Sequence, residues 1–113
     1  MDEFMFLVQS DDTLPVTAEE MGKRLADYRE WMQRMMAEGR VRAGQPLAKS
    51  GALVRKDQSV LTDGPFLEPK ELIAGYVIVR AHNLDDAIEL AKGCPLLHHC
   101  ELVVRPLVVV PDA

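Results

Sequence analysis

Two stretches of this chain are apolar without alternation, Tyr76-Val77-Ile78-Val79 and Leu107-Val108-Val109-Val110. A strand sends successive side chains to opposite faces of its sheet, so a strand wetted on one side reads apolar, polar, apolar. These two do not, and each therefore predicts a sheet that is covered on both faces. That requirement limits the fold more than any other feature of the sequence.

Helices supply one cover. Thr17-Ala18-Glu19-Glu20 has the form of a capping box, in which the Thr17 hydroxyl serves the third helical amide and Glu20 reaches back. Met21, Leu25, Tyr28, Met32 and Met35 follow at gaps of four, three, four and three, one apolar face of a helix. Glu20/Arg24 and Glu30/Arg34 lie one turn apart and support it from outside, and Gly39 is its natural stop. Asn83 caps a second helix over Leu84 to Lys92, with Ala87, Ile88 and Ala91 inward and Gly93 at its end. Asp85 and Asp86 occupy its first turn, where the helix dipole favours negative charge.

Strands fill the remainder. Phe4 to Gln9 reads as the first, and Val41 to Leu47, broken by Gly44 and Pro46, as an irregular or edge strand. Leu53 to Lys56 and Ser59 to Thr62 form short strands around an Asp57-Gln58 turn. Leu72 to Ala81 is a β-branched strand, and Cys100 to Val110 is the last, with Pro106 marking an edge position. The order predicts one α+β domain over residues 1–113, a ferredoxin-like sandwich with both helices on one face of an antiparallel sheet. No residues remain to cover the other face. A second subunit is the expected cover, in a face-to-face homodimer.

Composition excludes several classes. A net charge of −5 with Lys and Arg scattered along the chain argues against nucleic acid as a partner. No apolar run approaches the roughly 20 residues of a membrane span, so no membrane is expected either. The Met1-Asp2-Glu3 start lacks the basic and apolar regions of a secretory leader, and two cysteines in such a chain read as cytosolic thiols. A cytoplasmic protein is expected.

Residues 62 to 71, Thr-Asp-Gly-Pro-Phe-Leu-Glu-Pro-Lys-Glu, draw most attention as a site. Asp63-Gly64-Pro65 is turn chemistry, followed at once by the aromatic Phe66 and by Glu68, Lys70 and Glu71. Asp63 as a simple turn residue competes with Asp63 as a working carboxylate in a pocket rim. In the second case it is the candidate general base, a role that requires burial to lift its pKa towards neutrality. Lys70 would then stabilise developing negative charge, with Tyr28 or His98 as a second proton carrier. Phe66, Lys70, Glu71, Tyr76 and Trp31 complete the expected ligand-contacting set, although Trp31, beside the helix's apolar face, also reads as packing. Cys94, His98, His99 and Cys100 fall within seven residues, but zinc sites draw on separated ligand pairs and these four share one connection. No metal and no cofactor are expected. There is no Gly-x-Ser-x-Gly elbow and no phosphate-binding glycine loop.

The run Thr62-Asp63-Gly64-Pro65-Phe66 with Glu68, Lys70-Glu71, Gly75-Tyr76, Asn83-Leu84, Cys94-Pro95 and Val104-Arg105-Pro106 resembles the YCII-related family in its DGPF-motif branch. The resemblance implies a ferredoxin-like fold assembled as a dimeric α/β barrel. Wider relatives resemble cofactor-independent enzymes with a proposed His–Asp site. The positions matching that pair carry Tyr28 and Cys94 here, so the mechanism does not transfer. Relatives encoded near alternative sigma factors imply a regulatory setting. A small-molecule-binding homodimer is the favoured reading, and an enzyme acting on a small polar or aromatic metabolite through Asp63 is the alternative.

Overall fold

The computed structural model describes residues 1–10, 16–48, 50–62 and 73–111. Its elements run β1 (Asp2–Gln9), α1 (Ala18–Ala37), β2 (Val41–Pro46), β3 (Ala52–Val54), β4 (Val60–Thr62), β5 (Ile73–Ala81), α2 (Leu84–Lys92), a 3-10 turn (Pro95–His98) and β6 (Glu101–Pro106). Four strands form one antiparallel sheet in the order β2-β5-β1-β6, while among the described residues β3 and β4 pair only with each other. The two outer strands are the two that the sequence marked with proline. This is the expected α+β ferredoxin-like sandwich.

Alternation along β1 and β5 sorts the sheet into two faces. Phe4, Phe6, Val77, Val79 and Ala81 are buried and join Trp31, Met32 and Met35 of α1 and Ala87 and Ala91 of α2 in a single core. Both helices therefore lie on the same face. Phe6, Val77 and Val79 are the largest fully enclosed side chains, each worth about 1.5–3 kcal/mol of apolar transfer. The opposite face carries Met5, Leu7, Tyr76, Ile78 and Val103, which the register aligns as Leu7 beside both Tyr76 and Val103 and Met5 beside Ile78. Directly paired residues share a face, so this outer surface is an apolar patch. Glu3 closes one end of it, ion-paired to Arg42 at 2.6 Å and to Arg80 at 3.9 Å.

The helix ends follow their caps. Thr17 Oγ1 accepts a hydrogen bond from the Glu20 amide at 3.1 Å, and Asn83 Oδ1 accepts one from the Asp86 amide at 2.8 Å. Gly39, at φ 73°, turns the chain out of α1 in the left-handed region that a glycine adopts without steric cost. The Asp86 carboxylate accepts from the His82 amide at 2.9 Å and from Arg40 Nη2 at 3.0 Å, while Arg40 Nε donates to the Arg80 carbonyl at 2.9 Å. These bonds pin the start of α2 to β2 and β5. They also hold the Asp86 carboxyl below its usual range, the His82 amide contributing most.

Three details differ from the sequence reading. The last strand stops at Pro106, and Val108, Val109 and Val110 continue beyond it at 84, 89 and 81% exposure. The pairing with β1 ends at Pro106 opposite Phe4, with one further bond from the Leu107 amide to the Glu3 carbonyl, so the apolar run that looked like a doubly buried strand lies outside the sheet. Cys94 to Cys100, read as a plain connection, contains the 3-10 turn with Pro95 at its start. Met21 and Leu25, spaced as core positions, are 43 and 44% exposed, whereas Trp31 is 3% exposed. The β3–β4 hairpin has every strand residue exposed. Its turn is held by Asp57, whose carboxylate accepts from the Ser59 amide at 2.9 Å and from the Ser59 hydroxyl at 2.6 Å.

Candidate functional site

Met21 and Leu25 are exposed because the N-terminal half of α1 stands away from the sheet, and the gap beneath it is a cavity of about 310 Å³. That volume falls at the lower end of the range for small-molecule sites. Val8 of β1, Val77 of β5 and Leu96 of the 3-10 turn make apolar walls, and Pro46 and Leu47 bound it at the end of β2. Arg24, Asp27 and Tyr28 line it from α1, and His99 and Cys100 line it from the connection into β6.

Gly44 explains how Tyr28 reaches this depth. A Cβ on Gly44 would stand 3.3 Å from the Tyr28 hydroxyl oxygen, 2.9 Å from Met32 Cε and 3.0 Å from the Tyr76 carbonyl oxygen. A larger residue would close the space into which the phenol points. Burial raises the Tyr28 pKa, with Cys94 and Tyr76 adding to the rise. Cys94 is itself buried, and that burial pushes its thiol up to about 11. Tyr28 and Cys94, far apart in sequence, are thus electrostatic neighbours, and both are protonated at neutral pH. Of the two only Tyr28 lines the cavity, where it presents an uncharged hydroxyl able to donate a hydrogen bond.

The mouth has a different character. His99 is exposed, and its pKa is lowered by partial desolvation first and then by Arg24 and His98, while Asp27 and Glu20 oppose the shift. His98 and His99 diverge, with ring centroids 6.2 Å apart and planes at 61°. Of the two, His99 lines the cavity and His98 does not. Among the described residues no group of three or more His, Cys, Asp and Glu side chains is placed to hold a metal ion.

The sequence-derived candidates divide accordingly. Tyr28 and Tyr76 both line the cavity. Tyr76 pairs with Leu7, however, so its side chain shares the outer sheet face. Trp31 is a core residue away from the lining. Asp63, Phe66, Lys70 and Glu71 lie outside the described residues. Reasoning from sequence missed Arg24, Asp27 and His99. Arg24 and Asp27 flank Tyr28 at helical spacing on one side of α1, a signal that was available. The choice between His98 and His99 had no sequence signal.

A ferredoxin-like domain with a mostly apolar cavity between its first helix and its sheet is the class that fold and site define. The chain belongs to the YCII-related domain family, whose model matches residues 3–109. No curated protein matches it. Among solved structures it is similar to 5-chloro-2-hydroxyhydroquinone dehydrochlorinase (TftG) from Burkholderia phenoliruptrix AC1100, in complex with 2,5-dihydroxybenzoquinone. That likeness has 13% sequence identity and a TM-score of 0.52 over 93% of this chain and 91% of the other, and it shows the shared fold. Among the described residues no helix is long and apolar enough to cross a membrane.

Proposed function

We propose that this chain is a cytoplasmic, homodimeric small-molecule-binding protein that takes a small aromatic metabolite with polar substituents into the cavity under α1, in a regulatory setting. The observation that carries the reading is the cavity itself. Its apolar walls suit a ring, and Tyr28 places a protonated hydroxyl at its floor. The apolar outer face of the sheet, centred on Leu7, supports the dimer. Asp63, Phe66, Lys70 and Glu71 remain part of the proposal, because the segment that holds them runs into Ile73, next to Ala74 of the cavity lining.

Thermal shift against a panel of hydroxylated aromatics, with 2,5-dihydroxybenzoquinone included, tests it. A ligand at 100 times its dissociation constant adds about 2.7 kcal/mol, a rise of about 11 °C for a domain of this size. Leu25→Trp, which fills the cavity from an exposed position, should remove the shift. Equal shifts in wild type and Leu25→Trp would place the ligand elsewhere, and no shift across the panel would end the reading.

The alternative is a cofactor-independent enzyme with Asp63 as general base. It is favoured by one observation, that the similar fold above belongs to an enzyme acting on a ring compound. Asp63→Asn, which keeps size and turn preference, would abolish turnover with binding intact if that alternative holds.

A further inference from the structure

The cavity's floor and mouth differ in chemistry in a way that selects among ring compounds. At Tyr28 the cavity offers a neutral, protonated hydroxyl. The mouth brings together a guanidinium, a carboxylate and an imidazole, Arg24 and Asp27 one turn apart on α1 and His99 across from them on the connection into β6. A plain hydrophobic ligand would need none of these. A ligand with an acidic hydroxyl would use all three.

Resting on the cavity reading above, we propose that the site binds acidic phenols and hydroxyquinones as their anions, with His99 taking the hydroxyl proton. The ligand O–H bond breaks, an N–H bond forms on the imidazole, and the electron pair stays on the ligand oxygen as phenolate. Arg24 faces that negative charge. Asp27 faces the imidazolium. No co-reactant is needed, and the proton remains in the site.

The charged and titratable groups around His99 fit this role. Arg24, Asp27 and Glu20 face it from α1, and His98 adjoins it on its own segment. Before binding, desolvation, Arg24 and His98 lower the His99 pKa and so favour the neutral imidazole, the form that can accept a proton. After transfer, the Asp27 and Glu20 carboxylates stabilise the new positive charge, while the phenolate occupies the Arg24 charge that opposed it. The same balance sets the substrate class. An ordinary phenol titrates about 3.5 units above an imidazole, a factor of about 3,000 against transfer. Nitro, halogen or quinone substituents that bring the hydroxyl near neutrality remove that barrier. Simple phenols should bind as the neutral form, if at all.

4-Nitrophenol tests the proposal, because its anion alone absorbs strongly in the visible. Nitrobenzene is the comparison, having the ring without the hydroxyl. Titration of bound 4-nitrophenol should show a midpoint about one pH unit or more below that of the free probe, a tenfold shift in ionisation. In weak buffer about one pH unit below the free probe's own midpoint, where the free probe is about 90% neutral, its binding to wild type should release no proton, because His99 keeps it. His99→Gln should either return the midpoint to the free value or release about one proton per probe bound. Arg24→Gln, an independent exposed-side variant, should raise the midpoint without causing proton release. If nitrobenzene binds and the 4-nitrophenol midpoint is unmoved, or if His99→Gln behaves as wild type, the proton-transfer inference falls and the cavity reading survives. If neither probe binds, both fall.

Discussion

Gly44→Ala and Gly22→Ala make the same chemical change, and the structure gives them opposite signs. Gly44 sits in β2 beneath α1, where an added Cβ meets Met32 Cε at 2.9 Å, the Tyr76 carbonyl oxygen at 3.0 Å and the Tyr28 hydroxyl at 3.3 Å. The Met32 methyl can swing aside. The Tyr76 carbonyl cannot, because it belongs to the main chain of β5, which is paired on both sides. Overpacking of this kind costs about 1–3 kcal/mol, and the reduced entropy of the unfolded chain offsets about 0.4–1 kcal/mol. Because one contact is with main chain, the cost lies in the upper part of that range, about 2–3 kcal/mol, and a net loss of about 1–2 kcal/mol remains. Unfolding entropy of about 2.1 cal/mol/K per residue makes each kcal/mol worth about 4 °C in a chain of this length, so Tm should fall by about 4–8 °C. Gly22 lies inside α1 with nothing within 4 Å of the new methyl. Alanine there gains about 0.5–1 kcal/mol in helix propensity, a rise of about 2–4 °C. Calorimetry of both variants and their double mutant measures the two effects and their additivity. A Gly44→Ala protein that melts at or above wild type would refute the close approach of β2 to α1 on which the cavity's geometry depends.

Four further outcomes are expected. Thr17→Ala removes the acceptor for the Glu20 amide and should cost about 1 kcal/mol in a urea melt, while an unchanged midpoint would show that water replaces the cap without loss. Asp86 has its folded pKa below the ordinary 3.8, so its stabilisation is present above the unfolded pKa and is lost as pH falls through the folded one. Asp86→Asn should therefore flatten the decline of stability below about pH 4, and an equally steep acid limb in the variant would assign that limb to other groups. Cys94, with its thiol at about 11, is about 0.1% thiolate at pH 8 and should resist Ellman's reagent until the protein is unfolded. Peptide mapping that finds Cys94 labelled within minutes in the native state would contradict its burial. Val77→Asp buries a carboxylate in the core and should unfold the chain, whereas Ile78→Asp, on the outer sheet face, should keep the fold and yield a monomer by light scattering. A dimer that survives Ile78→Asp would remove the sheet face as the interface.

The helices were legible because their signals are local. A hydroxyl at Thr17, an amide at Asn83 and a glycine at each end act over one turn of chain and need no tertiary partner. The sheet was legible in kind, since Phe4 to Val8 and Tyr76 to Ala81 carry enough β-branched and aromatic residues to mark strands, while their register came only from the structure. The cavity was not. Periodicity put Met21, Leu25 and Tyr28 in one stripe along one side of α1 with Met32 and Met35, but only the last two of these are buried in the core, and the first three line the cavity. It carries no information on how far that side stands from the sheet, a distance set by Gly44 and by the approach of Leu96. Trp31 shows the same limit from the other direction. One position off the apolar stripe, it is enclosed by residues of β1, β5 and α2 that no local pattern connects to it. Val108 to Val110 had the composition of a strand, but they lie beyond the last bond to β1, from the Leu107 amide to the Glu3 carbonyl.

Both outer strands of the four-stranded sheet finish on a proline, β2 at Pro46 and β6 at Pro106, and β2 is further broken by an irregular register between Val41 and Ala43. An edge built this way cannot template a neighbouring strand along its full length, because amides are missing or out of phase where a new ladder would have to continue. Growth of the sheet from chain to chain is therefore blocked at both sides. Copies that associate through this sheet are left its face, not its edges, to meet on. A contact of that kind between identical faces is self-complementary and closes after two subunits, so a chain with this much exposed apolar β-structure is steered towards finite assemblies and away from fibres.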